Sequence, residues 1–216
     1  MRSLQYVSDI HLETRSGFLK IPIKSNNLAL LGDIGDPFKP NYRDFLQYCS
    51  YNFENVFLIA GNHEFWHHKQ PHQKVVDQIS NLAAKSNVKF LNDSEAKLYD
   101  YTILGSTLWT PFTYSIYHKK CVSYLEKRIE DKDKVIVLSH YLPSFKLITS
   151  EYQTEEWLKF HKNYASDLEY LIRNPIYAWL CGHSHCIYET NINGVSCRIN
   201  AVGYSNEVKG RVLEMI

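Results

Sequence analysis

The sequence predicts an α/β protein whose strands run largely parallel and are joined by helical crossovers. Two observations carry that prediction. Short apolar runs that end in polar or glycine punctuation recur along the chain, and stretches of helical periodicity separate several of them. No Ser/Gly/Pro-rich linker, repeat or compositional break interrupts the pattern, so 1–216 reads as a single domain.

The first three buried strands are expected at 4–7, 28–31 and 56–60, running into Ser8-Asp9, Gly32-Asp33 and Gly61-Asn62. Between the second and third, Tyr42, Phe45, Leu46 and Cys49 fall at i, i+3, i+4 and i+7, the spacing of one helical face. Val75, Val76, Ile79, Leu82 and Ala83 do much the same after the third. From 88 to 109 the pattern turns strand-like, with turns expected at Asn92-Asp93 and at Gly105. A helix is expected around Val122, Leu125 and Ile129, and another buried strand at 135–138. Residues 151–173 are rich in polar helix formers with Tyr164, Leu168 and Leu171 on one face, which predicts a surface helix ended by Asn174-Pro175. A strand at 176–180 follows, then a hairpin in which Asn193-Gly194 supplies the positive φ between 188–192 and 195–199.

With 44% hydrophobic and 14% aromatic residues, the 216-residue chain can bury a large core, which excludes disordered and fibrous classes. Its 24 Lys+Arg against 23 Asp+Glu leave a formal charge of +1, so no whole-chain field draws it onto nucleic acid or anionic lipid. Asp9 and His11 arrive too early for the apolar centre of a secretory signal, and no charge-free stretch approaches the ~20 residues that cross a bilayer. Cys49, Cys121, Cys181, Cys186 and Cys197 are odd in number and form no C-x-x-C pair, which fits neither a disulfide framework nor a thiolate zinc site. A soluble protein of the reducing cytoplasm is the expectation.

Metal-ligand residue types follow the apolar strands: Asp9 and His11, then Asp33 and Asp36, then Asn62, His63 and Glu64, then His140, then His183 and His185. In a sheet with crossovers the carboxyl ends of the strands share one edge, so these residues converge. Oxygen and imidazole donors without thiolate suit catalytic manganese, iron or zinc better than a structural zinc knot. They are too many for one ion. Two ions about 3.5–4 Å apart, bridged by a carboxylate, would stabilise both the entering and the leaving oxygen of a phosphoryl displacement.

In order, D-x-H at 9–11, G-D-x-x-D at 32–36, G-N-H-E at 61–64, the strand-end His140 and G-H-x-H at 182–185 resemble the calcineurin-like metallophosphoesterase superfamily. GDIGDP, GNHEFW, LGSTLW, SHYLPS and NAVGYSNE extend the resemblance, to a subgroup of small stand-alone members, over 8–207. The resemblance implies a four-layer α/β/β/α fold with two mixed β-sheets flanked by helices. It assigns Asp9, His11 and His185 to one metal, Asn62, His140 and His183 to the other, and Asp33 to the bridge. His63 becomes the general acid, with Asp36 as its carboxylate partner, in hydrolysis by a two-metal-activated hydroxide. The implied cofactors are two divalent transition metal ions, manganese before iron or zinc. Gly32, Gly61 and Gly182 beside these residues carry no Cβ, which permits sharp turns and close approach.

Phosphoprotein phosphatases of the superfamily place an arginine after the last aspartate of G-D-x-x-D, where this chain has Pro37. The expected substrate is therefore a small phosphodiester or nucleotide rather than a phosphoprotein. The alternatives are a nuclease acting on single-stranded nucleic acid, disfavoured by the absence of a basic run, and a non-catalytic adaptor that keeps the fold. No membrane partner is expected. Tyr141 stands where relatives often carry a second histidine. Among the remaining candidates, His118 and His161 read as surface residues, His67, His68, Lys69 and His72 as loop decoration, and Glu64 as a hydrogen-bond acceptor within its loop. Trp66, Trp109, Phe112 and Tyr114 offer π faces to a substrate ring, against the commoner fate of core or rim packing.

Overall fold

The structure is a computed structural model that describes residues 3–17, 19–66 and 69–207 and the backbone of 214–215. Its first sheet is built from β1 (Gln5–Val7), β2 (Asn27–Leu31), β3 (Asn55–Ile59) and β4 (Lys89–Phe90). The second contains β5 (Ser94–Leu98), β6 (Tyr101–Ser106), β7 (Val135–Ser139), β8 (Ile176–Cys181), β9 (Ile187–Ile192) and β10 (Val195–Asn200). The strand β11 (Glu214–Met215) returns to the first sheet, giving the orders β11-β1-β2-β3-β4 and β5-β6-β7-β8-β10-β9. Each sheet is mixed: the central pairs are parallel, while β11, β5 and β9 pair antiparallel with their neighbours.

Two sheets stacked face to face need strands that are apolar on both sides, which is why these runs do not alternate with polar residues. In β2, Leu28 and Leu30 pack among the helices α1 (Pro40–Asn52) and α3 (His72–Lys85), while Ala29 and Leu31 meet the other sheet. In β7, Ile136 and Leu138 face inward and Val135 and Val137 face α4 (Pro111–Glu130). The result is the helix–sheet–sheet–helix layering that the family resemblance implies. Tyr42, Phe45, Leu46 and Cys49 form the buried stripe of α1, and Val75, Val76, Ile79 and Ala83 that of α3. The helix α4 begins at a capping box in which Thr110 and Thr113 exchange side-chain and backbone bonds. No helix among the described residues is long and apolar enough to cross a membrane, and all five cysteines are free thiols.

Three expectations need correction. Residues 151–173 are not one surface helix but a chain of short turns with a single α-helical turn, α5 (Glu155–Leu158). Tertiary bonds outcompete helix propensity here: Leu142 donates to Tyr164 O and accepts from Ser166 N, and Leu168 N donates to Pro143 O, tying the segment to the exit of β7. Gly105 is not a turn but lies inside β6, where an added Cβ would collide with Leu91 Cβ and sit 2.9 Å from Ile59 Cγ2. His118 is buried, its Nδ1 donating to the carbonyls of Leu108 and Trp109 at 2.9 and 3.1 Å.

Candidate metal centre

Parallel strands from both sheets end on one side of the molecule, and there the chain turns sharply. Asp9, His11, Asp33, His183 and His185 all hold positive φ, between 48° and 68°. For a residue with a Cβ that conformation costs roughly 1–2 kcal/mol, so neighbouring contacts must enforce it. The turns enforce each other laterally: Asp9 N donates to Gly32 O, His11 N to Asp33 O, and Gly182 N to His140 O, each at 3.0 Å. Gly61 is required at the crossing, since a Cβ there would collide with Asp33 Oδ1 and lie 2.8 Å from His140 Cε1.

Glu64, in the short helix α2 (His63–Trp66), ties two of these turns together, as an acceptor within and beyond its own loop. Its Oε2 accepts the amides of Asp33 and Gly61 at 3.0 and 2.8 Å, and its Oε1 accepts Ile34 N at 2.8 Å. Burial and the nearby Asp33 charge raise its pKa to about 7, while the amides oppose them.

Each aspartate expected to bind metal uses one oxygen for structure and turns the other inward. Asp9 Oδ2 accepts His183 N at 2.9 Å, and its Oδ1 is buried without a hydrogen-bond partner among the described residues. Asp33 Oδ1 accepts His63 N at 2.8 Å, and its Oδ2 lies 3.4 Å from His140 Nε2, 3.9 Å from His11 Nε2 and 4.0 Å from His63 Nε2. Ligand atoms of Asp9, His11 and His185 lie within 4.8 Å of one another, as do those of Asp33, His140 and His183. Asn62 Oδ1 is 3.0 Å from His140 Nε2.

The donor chemistry fits cations. A carbonyl only accepts, so His140 Nδ1, 2.9 Å from Leu31 O, carries hydrogen and turns its Nε2 to the centre. His11 Nδ1 faces Glu13 Oε1 at 2.9 Å and His185 Nδ1 faces Glu207 Oε2 at 2.8 Å, which fixes the same tautomer in both. Their Nε2 atoms then oppose lone pairs across 3.0 Å, an arrangement that a shared cation or proton relieves. Without metal, burial depresses charge on His140, but the Asp33 carboxylate overrides it and holds the pKa at about 9. Burial also works against Asp33, yet the imidazoles around it keep its pKa well below the usual carboxylate range. His183 falls to about 3 through lost solvation and the His140 charge.

His63 meets a carboxylate, but it is Glu13 rather than Asp36. Glu13 Oε1 lies 3.0 Å from His63 Nδ1 as well as 2.9 Å from His11 Nδ1, while Asp36 Oδ1 accepts the amide of Phe38. The two imidazoles overcome burial and hold Glu13 at about 2. Burial lowers the His63 pKa, but Glu13 and Asp33 together raise it above its ordinary value. Tyr204 places its hydroxyl 3.4 Å from His63 Nε2 and its ring 4.3 Å from that of His11. Glu13, Tyr204 and Glu207 escape the motif reading. A carboxylate two residues after D-x-H was the available signal for Glu13, and the NAVGYSNE run for the other two.

A cleft of about 330 Å³ opens over Asp33, Asn62, His63, His183 and His185. Of the four aromatic candidates only Trp66 lines it. Trp109 is buried against Tyr114 and Tyr141, and Phe112 is exposed on α4. Tyr141 packs its ring 4.2 Å from His183. His161 lines the cleft and, through Nε2, meets the Tyr152 carbonyl at 2.8 Å. His72 stacks between Phe65 and Tyr117, and His67 and His68 lie outside the described residues.

A family model described as calcineurin-like phosphoesterase matches residues 6–187. Protein L509 of Acanthamoeba polyphaga mimivirus, itself uncharacterized, is 29% identical over 260 aligned residues, covering 96% of this chain and 93% of that one. Among solved structures, the phosphopantetheinyl hydrolase PptH of Mycobacterium tuberculosis superposes with a TM-score of 0.76 at 16% identity, over 99% of this chain and 95% of its own. The calcineurin-like phosphoesterase YfkN of Bacillus subtilis gives 0.51 at 13% identity, over 91% and 80%. Identities this low speak for the fold alone.

Proposed function

The chain belongs to the calcineurin-like phosphoesterase family, and on that premise we propose that it hydrolyses small phosphate esters, phosphodiesters or nucleotides before phosphoproteins, at a binuclear metal centre. The observation that carries the reading is the pair of imidazole Nε2 atoms 3.0 Å apart, that of His185 lying 3.5 Å from a buried Asp9 oxygen with no hydrogen-bond partner among the described residues. In this reading Asp9, His11 and His185 would hold one ion and Asn62, His140 and His183 the other, with Asp33 as the carboxylate they would share. Divalent transition ions, manganese before iron or zinc, would supply Lewis-acid stabilisation of the phosphoryl oxygens and a water made nucleophilic near neutral pH if bound there.

The protein's own part is positioning and proton transfer. His63 carries a proton on Nδ1 toward Glu13 and presents Nε2 to the cleft. As the oxygen of water bonds to phosphorus and the P–O bond to the leaving group breaks, Nε2 of the imidazolium gives its proton to the departing oxygen. Glu13 takes the orienting role that the motif pattern gives to Asp36. Pro37, in place of a phosphate-clamping arginine, supports the small-ester reading.

The test is a panel of monoesters, diesters, cyclic nucleotides and single-stranded DNA with the manganese-loaded protein. Turnover of small esters, lost by about 100-fold or more in His63→Gln with metal content unchanged by elemental analysis, is the expected result. Full activity in that metal-loaded variant removes His63 from the chemistry. Less than one ion per chain with no turnover of any ester makes the protein an adaptor, and turnover confined to DNA makes it a nuclease.

A further inference from the structure

We infer that the segment leading from β7 to β8 is the specificity wall of the cleft, and that it selects esters in which one phosphoryl group is joined to a flat aromatic ring. The inference rests on the phosphoesterase reading of the same site. Besides the metal-ligand side chains, the cleft is lined by Tyr152, Trp157, Phe160 and Tyr164, and by Trp66 beside His63. These rings are not core. Trp157, Phe160 and Tyr164 keep 38–39% of their surface exposed and Trp66 keeps 51%, although burying a large aromatic is favourable. They are nevertheless braced against each other: Trp157 meets Tyr152 edge-on at 5.3 Å and Phe160 at 5.8 Å between ring centres. Tyr164 lies 5.0 Å from the ring of His183, which brings this side of the cleft up to the metal-ligand residues.

Charge narrows the occupant further. Among the described residues lining the cleft there is no lysine or arginine, while Asp33 and Glu207 contribute carboxylates. The described lining thus offers a second phosphate, or the phosphate backbone of a polynucleotide, no lysine or arginine partner. A flat ring needs none, because stacking on π faces is indifferent to the ring's hydrogen-bonding edge. A volume of about 330 Å³ suits one nucleoside-sized or aryl group. The shared chemistry is a ring-bearing monophosphoryl ester, and a nucleobase and a simple aryl group are its two sources.

The experiment compares kcat/KM for three esters in the manganese-loaded protein: a nucleoside phosphodiester, an aryl phosphodiester and the ringless glycerophosphocholine. Wild type should prefer ring-bearing esters. Trp157→Ala and Phe160→Ala should lower the ring-to-ringless ratio by about tenfold or more, mainly through KM, and Trp157→Phe should recover much of it. Tyr51→Ala, an exposed ring on α1 outside the cleft, should leave the ratio at the wild-type value. Nucleoside and aryl arms that respond differently identify the ring source. A ratio unmoved in both alanine variants, or a tighter KM for nucleoside diphosphates than for monophosphates, overturns the inference while leaving the phosphoesterase reading intact. If no ester is turned over, the latter reading fails. The wall is then judged by quenching of tryptophan fluorescence by adenosine monophosphate, expected in wild type and weakened in Phe160→Ala; equal quenching in both overturns it.

Discussion

Glu13 is the residue on which two functions meet, since one oxygen, Oε1, faces both His11 and His63. Replacing it by glutamine removes the negative charge but keeps the shape. The carboxylate raises the His63 pKa, which keeps the imidazole protonated to higher pH, so Glu13→Gln should move the alkaline limb of the kcat/KM profile to lower pH. At saturating manganese, kcat at neutral pH should fall by about tenfold or more; an unmoved limb would assign His63 another partner. His140 offers a second handle. With a metal-free pKa of about 9 it is protonated at pH 7, and it can bind a cation only as the neutral ring. Metal uptake should therefore release a proton, seen in calorimetry as a binding enthalpy that varies with buffer ionisation enthalpy between pH 6.5 and 9. An enthalpy independent of buffer would contradict that assignment. At this scale the sequence was legible where ligand residue types end an apolar run, as at Asp33, Asn62 and His140. It was opaque at Glu13 because its second partner, His63, is brought alongside only by the turn after β3.

At the scale of elements, strands and helices with one dominant period were readable, and those shaped by a neighbour were not. The stripe on α1 needs only its own sequence, whereas Leu168 and Leu171 are buried by turns that the exit of β7 holds in place. Gly105 belongs to the second kind: glycine in strand sequence signals either a turn or a close approach, and only the packing of Leu91 and Ile59 against β6 decides between them. Gly105→Ala should accordingly cost about 1–3 kcal/mol by overpacking. For a chain of this size that amounts to a fall in Tm of several degrees, with metal content unchanged. Pairing it with Leu91→Ala should return none of the loss, because the nearest clash is with the Leu91 Cβ, which alanine keeps, and the truncation adds a cavity of its own. A single variant as stable as wild type would mean that the strand shifts to accept the methyl.

Across the whole molecule, the proposed ligand sets straddle the two sheets. Asp9, His11, Asp33 and Asn62 follow β1, β2 and β3 of one sheet, while His140, His183 and His185 follow β7 and β8 of the other. Each proposed ion would thus draw ligands from both layers, so metal binding would cross-link the sandwich at that edge. The interior contact between the layers, Leu31 and Ile59 against Ile103 and Leu138, would hold the fold together without it. Because the unfolded chain lacks the preformed site, metal at 100 times its Kd should add about 2.7 kcal/mol to stability. Chelation should lower Tm by roughly 5–10 °C, and manganese should restore it. Asp33→Asn separates this linkage from a nonspecific effect of chelator: it removes the shared carboxylate, so its Tm should respond little to either treatment. A wild-type Tm indifferent to both chelator and manganese would mean that the two layers do not share an ion, and the binuclear reading would fall with it.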